Sequence, residues 1–218
     1  MMKKISAAFA VVHLGVYLWA MQLLEDVIPI HYNSMGQVDR YGSKYFLLIF
    51  ALMPLVLVLG HVIYAHCTRN NERVARNRAV EGKVIPMIVL MFIVIGWAVY
   101  FAAKAQGGQI DVMIGILCAT MGILMIGISN YMGKMRQNRT LGIKIWWTLR
   151  DETVWNKTHR LAAYTGMICG AVMLVSGIIG MTGKMTIMAV MFFVALTVFI
   201  VVPVVYAHNL YYRLHPKQ

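Results

Sequence analysis

The sequence predicts an all-α fold, a polytopic membrane bundle of six transmembrane helices with both termini in the cytoplasm. Two observations carry this. Residues of the set AVILMFWYC fill 60% of 218 positions and only 13% are charged, whereas a soluble domain is about half apolar and about a quarter charged. The apolar residues also fall into runs at about 5–24, 44–66, 84–103, 111–130, 161–180 and 185–209, each long enough to cross about 30 Å of hydrocarbon as a helix. Runs and connections together use up the chain, which reads as one integral membrane domain, 1–218, with an outside loop at 25–43 and inside loops at 67–83 and 131–160.

The first run follows Lys3 and Lys4 and is too long for the apolar part of a signal peptide. It ends in Gln22, Glu25 and Asp26 without a small-residue cleavage pattern, so it reads as a signal anchor. Orientation follows from the cations. Sixteen of the twenty lysines and arginines lie at the termini or in the connections after the second and fourth runs, and only Arg40, Lys44, Lys104 and Lys184 lie on the other side. The positive-inside rule makes the crowded side cytoplasmic, and the net charge of +12 marks topology and lipid-headgroup contact rather than nucleic acid.

Tyr64, Tyr131 and Tyr206 end the even-numbered runs at headgroup depth. The second and sixth runs finish alike, Val62-Ile63-Tyr64-Ala65-His66 and Val204-Val205-Tyr206-Ala207-His208, with Pro54 and Pro203 upstream. A 3+3 repeat would pair runs two and five instead, so the likeness reads as shared interface chemistry. Gly115 with Ala119, and Gly166 with Gly170, are small-xxx-small pairs that let runs four and five approach their neighbours. Cys67, Cys118 and Cys169 have no metal-like or CxxC spacing and read as small packing residues.

Two segments are not membrane filler. The outside one, Ile28 to Lys44, gathers polar side chains and turn glycines, with His31, Asn33 and Asp39 the groups able to meet a ligand or ion. Its plainer role is a compact lid in which Asn33 and Asp39 satisfy their own turns. The inside one, Asn130 to Arg160, holds Trp146, Trp147 and Trp155. Thr148 followed by Asp151 has the form of a capping box, so a short helix is expected to start there. Glu152, Asn156 and His159 would then share a face, with Lys157 and Arg160 reaching headgroups. Such a helix lies on the inner leaflet, carries a polar site, or docks a cytoplasmic partner.

Other classes find less support. A proton-coupled transporter would be expected to show a carboxylate at mid-membrane depth, and the ionisable residues clearly within the runs are His13 and His61. Paired haem ligation by His13, His61, His66 or His208 meets histidines at unequal depths. A zinc hydrolase built on His159 with Glu152, or His31 with Asp39, has two ligands where a catalytic zinc usually has three. No enzyme, metal or cofactor is therefore expected.

The outside segment resembles the short domain of the SdpI family, of the form IPxHxNxxGxxDxxGSK, matched at Ile28, Pro29, His31, Asn33, Gly36, Asp39, Gly42, Ser43 and Lys44. The inside segment is similar to that family's second signature at Asn130, Gly133, Lys134, Arg136, Asn138, Gly142, Ile143, Trp147, Thr148, Leu149, Glu152, Val154, Trp155, Thr158, His159 and Arg160. It departs at Ile145-Trp146, where Thr-Pro is common, and at Ala162-Ala163, where glycine is common. The resemblance implies a bacterial immunity protein that protects its host from a secreted, membrane-active peptide toxin. It also implies a receptor that holds a repressor at the membrane. On that reading His31, Asn33, Gly36, Asp39, Gly42 and Lys44 meet the toxin, and the inside signature from Asn130 to Arg160 serves the partner.

Overall fold

The computed structural model describes residues 2–33, 36–106, 108 and 110–216. Ser34 and Met35 of the outside segment, and Lys217 of the cation pattern, lie outside the described residues. The elements run α1 (Met2–Met21), β1 (Val27–Tyr32), β2 (Val38–Ser43), a 3-10 turn (Lys44–Leu47), α2 (Leu48–Cys67), α3 (Glu72–Ala75), α4 (Arg78–Lys104), α5 (Ile110–Met132), α6 (Trp146–Arg150), α7 (Glu152–Gly180) and α8 (Met185–Leu214). The helices beginning at Lys44, Arg78, Ile110, Glu152 and Met185 are each long and apolar enough to cross a membrane, and Ile5–Met21 of α1 is a shorter apolar helix.

The all-α expectation needs one correction. The outside segment is an antiparallel hairpin in which Val27 pairs with Ser43, Ile28 with Gly42, Pro29 with Tyr41 and Tyr32 with Val38, with irregularities either side of His31. Its strands are rich in β-branched and aromatic residues, but they are too short to register in a search for helical spans. Pro29 is tolerated because each strand of a two-stranded sheet has one unpaired edge.

Two helices begin earlier than their apolar runs. Helix α4 starts at Arg78, where the N–H groups of Val80 and Glu81 both bond to the Asn77 carbonyl at 2.9 Å. Helix α7 starts at Glu152, capped by Asp151, whose carboxylate accepts from the Val154 N–H at 2.8 Å. The expected capping box is thereby displaced: Asp151 is the cap, and Thr148 lies inside α6. Apolarity locates hydrocarbon, while a helix continues through polar residues until its backbone groups find other partners. One consequence is that Glu81, buried at 5% exposure, lies in the first turn of α4, ahead of the apolar run.

Different forces hold the two halves. In the first, Tyr17 donates to the Gly96 carbonyl at 2.9 Å, Tyr100 to the Ala20 carbonyl at 3.2 Å, and His13 Nε2 to the Phe50 carbonyl at 3.2 Å. Trp97 packs against Tyr17 and Tyr100. Phenol and imidazole groups thus stitch α1 to α2 and α4, where an unmet polar group in hydrocarbon would cost several kcal/mol. In the second half α5 and α7 meet backbone to backbone. A Cβ on Gly122 would lie 2.6 Å from the Gly170 carbonyl and 2.9 Å from Leu174 Cα, and one on Gly177 would lie 2.5 Å from the Gly115 carbonyl. The small-residue pairs of runs four and five both lie on this seam but do not oppose each other: Gly115 and Ala119 meet Gly177, while Gly170 meets Gly122 and Gly166 meets Ser129, as close van der Waals association in lipid requires. Val80, Val84, Met132, Met135, Trp155 and Ala162 form the cluster that joins the halves at the inner end.

Gly122→Ala should lower stability by about 1–3 kcal/mol, because backbone atoms leave no room for the methyl. Gly60→Ala, with open space around it, should do no harm and gain slightly from helix propensity. Thermal unfolding midpoints in detergent read both, and equal midpoints would mean that α5 and α7 are not in contact.

Candidate functional site

At one end of the bundle, the side the cation pattern assigns to the outside, the hairpin holds its own polar groups. The Asn33 side chain accepts from the Gln37 N–H at 3.0 Å, and its main chain pairs with Gln37 and Gly36 across the turn at 2.9 Å. Asn33 is thus a turn-former, as the plainer role supposed. Gly36 has φ +75° and presses against Ile110 at the start of α5, while Gly42 lies against Ile30. Lys44 is a fastener: its ammonium bonds to the Leu24 carbonyl at 3.3 Å and the Asp26 carboxylate at 3.0 Å, tying the hairpin to the end of α1. His31 and Asp39 are left to face outward. His31 Nδ1 donates to Asp39 at 2.6 Å with side chains 55% and 42% exposed. Beside them a cleft of about 500 Å³ opens between the hairpin and the first turns of α5 and α8, walled by His31, Tyr32, Asp111, Met113, Ile114 and Met185 among others.

At the opposite end, assigned to the inside by the same pattern, the long loop folds onto the start of α7. Trp155 is fully buried and donates its indole N–H to the Met135 carbonyl at 2.8 Å. His159 stacks on it, ring centroids 4.0 Å apart. The Ile143 N–H donates to His159 Nε2 at 2.9 Å, so Nε2 is bare and Nδ1 carries the proton, which it gives to the Trp155 carbonyl at 2.9 Å. Gly142, at φ +107°, lets the loop pass: a Cβ there would run into His159 Nε2 and sit 3.1 Å from the Trp155 ring. Asn138 folds the loop on itself, accepting from Thr140 and Leu141 at 2.7 and 2.8 Å and donating to the Arg136 and Leu141 carbonyls. The Thr148 hydroxyl, also fully buried, reaches the Ile143 carbonyl at 2.6 Å.

Asn77, in the other inside loop, makes the cross-tie. It is 1% exposed, accepts from the Arg136 N–H at 2.9 Å and donates to the Arg136 carbonyl at 3.1 Å. Sequence reasoning passed over it; the available signal was an asparagine just before a helix start. Tyr64 adds a bond to Thr140 at 2.9 Å. Between the two loops lies a cleft of about 680 Å³ lined by Tyr64, Asn71, Arg76, Gln137, Arg139 and Thr140 among others. The end of α8 closes the other flank, with Tyr211 against Trp146, His208 against Trp147, and His215 3.5 Å from Asp151.

The structure does not bring all the proposed residues together. His159 is buried at 1% exposure while Glu152 and Asn156 are exposed, so the shared polar face does not form, and a zinc pair of His159 with Glu152 has no geometry to support it. Asn130 is exposed on the last turn of α5. The side chains of Arg136 and Arg160 also point to solvent. Among the described residues no three His, Cys, Asp or Glu side chains gather as a metal would need.

Residues 134–207 match the SdpI/YfhL protein family, and residues 8–58 match a domain of unknown function, DUF1648. The chain is 25% identical over 154 residues to the immunity protein SdpI of Bacillus subtilis (strain 168), an alignment covering 71% of this chain and 70% of that protein. The chain resembles the SdpI family. No solved structure matches it. The SdpI/YfhL match starts beside the Trp155 hub and runs into α8, and the other match takes in α1, the hairpin and the first half of α2.

Asn77→Ala should cost roughly 1–3 kcal/mol, two buried hydrogen bonds at about 0.5–1.5 kcal/mol each. Gly142→Ala should cost roughly 1–3 kcal/mol from the left-handed backbone alone, with the overlap on His159 added. Unfolding followed by tryptophan fluorescence reads both; wild-type midpoints would show that the loop is not fastened at these points.

Proposed function

We propose that this chain is a six-span bacterial membrane immunity protein, both termini cytoplasmic, that protects its host from a secreted, membrane-active peptide toxin. The observation that carries the reading is the similarity over 154 residues to the immunity protein SdpI. The cleft beside the hairpin supports this reading as a place for the encounter. The outer cleft is apolar along Met113, Ile114 and Met185 and polar along His31 and Asp111, a combination that suits an amphipathic peptide. The His31 and Asp39 side chains are exposed at its rim and are the groups we assign to recognition.

A receptor role extends the same reading. Toxin binding would favour one of two arrangements of the bundle, and the surface of Trp146, Trp147 and Leu149 with the cleft beside Arg139, held from beneath by the buried Thr148 and Trp155, would present itself to a repressor in one of them. Transport is a second reading, whose one buried carboxylate among the described residues, Glu81, sits in the first turn of α4 at the end of the bundle where Asn77 meets Arg136. Flux into reconstituted vesicles under an ion gradient would select it, and its absence would remove it.

His31→Ala and Asp39→Ala should each abolish protection while leaving folding intact, because an exposed ion pair contributes at most about 1 kcal/mol. Growth and membrane potential of a sensitive bacterium, challenged with the toxin against which an SdpI-type protein protects, are the readouts, with membrane expression checked in parallel. Undiminished protection in both variants would remove the hairpin from the recognition step.

A further inference from the structure

We propose that the groove between the inner end of α5 and the first turns of α7 binds the phosphate-bearing headgroup of an anionic membrane lipid. It is lined by Gly133, Lys134, Met135, Arg136, Asn156 and Arg160 and encloses about 390 Å³. Its lining holds three cations and one amide, and no carboxylate is among those residues, Glu152 lying one turn beyond Asn156. Guanidinium groups pair with phosphate oxygens in a two-pronged geometry, and an ammonium adds a point charge.

Depth and surroundings select a lipid as the source of that phosphate. The Lys134 ammonium sits 5.6 Å from the centre of the Tyr131 ring, at the level where amphipathic rings mark the headgroup region. Asn156 and Arg160 are one helical turn apart on α7, and the same face continues through Tyr164, Met167 and Ile168, exposed at 61%, 43% and 66%. A charged pocket thus opens onto an uncovered apolar stripe directed toward the middle of the span, the order in which a lipid presents phosphate and then acyl chain. The backbone beneath is already held: Trp155 bonds to the Met135 carbonyl, and Asn77 bonds to both polar groups of Arg136. Lys134 and Arg136 therefore project from a fixed base, which lowers the ordering cost of binding.

The full chain in neutral detergent is titrated with phosphatidylglycerol, phosphatidylcholine or inorganic phosphate while thermal unfolding is followed by tryptophan fluorescence. Phosphatidylglycerol should raise the midpoint saturably and phosphatidylcholine should not. Lys134→Gln, Arg136→Gln and Arg160→Gln should each raise the half-saturating concentration by about fivefold, from the known contribution of one cation near an anionic surface. Lys83→Gln removes an exposed inner-face cation outside the groove and should leave it unchanged. Each variant is compared with its own lipid-free midpoint, so lower intrinsic stability does not enter. Equal stabilisation by inorganic phosphate, with the same dependence on the three cations, would give the groove to a soluble phosphate and overturn the lipid assignment. Equal stabilisation by phosphatidylcholine, or a Lys83→Gln effect as large as the others, would reduce the groove to diffuse surface charge and overturn the site.

Discussion

Where α5 ends, the chain must leave the membrane with carbonyls that no longer have a helical partner, and the way this is solved organises the inner half of the protein. Three side chains reach the two residues Met135 and Arg136: Trp155 from α7, Asn77 from the turn before α4, and Asn138 from the loop itself. Each is at least nine-tenths buried, so loss of its bond would leave a largely desolvated side-chain group without a partner. Through those bonds α4, α5 and α7 are held together at one point. Once Trp155 is fixed, His159 stacks on it, Gly142 must pass over both rings, and the loop reaches α6 in a single path. Both helix ends that resemble each other in sequence come to this loop, Tyr64 of α2 at Thr140 and His208 of α8 at Trp147. The two contacts use different positions of the like sequences, the tyrosine in α2 and the histidine in α8, so the likeness is one of chemistry at a helix end and not of equivalent contacts.

Above the hub the two halves meet different requirements of a lipid solvent. Apolar side chains gain nothing from leaving lipid for one another, so cohesion has to come from satisfied polar groups or from dense packing. The first half uses the former, through Tyr17, Tyr100 and His13 on backbone carbonyls. The second uses the latter, with glycine backbones of α5 and α7 in direct contact.

Five of the six expected spans were legible because burial in hydrocarbon demands about twenty apolar residues in a row, and the small residues of α5 and α7 were legible because close approach demands particular residue types at a fixed interval. The hairpin was not. A six-residue strand beside a polar turn leaves no mark on a hydropathy profile, although Val27-Ile28-Pro29-Ile30 and the glycines at 36 and 42 now explain it. The starts of α4 and α7 were missed for a related reason, since Asn77 and Asp151 set them through hydrogen bonds and not through apolarity. In the inside signature the residue types were visible but not their division of labour: Asn138, Thr148, Trp155 and His159 hold the loop in shape, while Lys134, Arg136 and Arg160 are turned outward. Asn77 lay in the other loop, and only the fold could bring it to Arg136.

Helices α5 and α8 each have an end in both regions to which the proposed function assigns work, and α5 is the one joined to the hairpin turn. Ile110 at its start walls the outer cleft and touches the hairpin turn at Gly36, and the chain leaving its other end is Met135 and Arg136. Its contact with α7 is backbone against backbone, which leaves α5 no freedom to slide on that partner without lifting glycine from glycine. A toxin wedged between the hairpin and Ile110 would therefore have to move α5 and α7 together. The yielding surface would be the seam with α4, where Met87, Leu90, Met91, Val94, Ile123 and Gly127 leave an apolar crevice of about 280 Å³. Movement along that seam pulls on the bonds between Asn77 and Arg136, because they span it at its inner end. A signal from the outer cleft would reach the cytoplasm as strain on one asparagine, by the contiguous packing that such coupling needs.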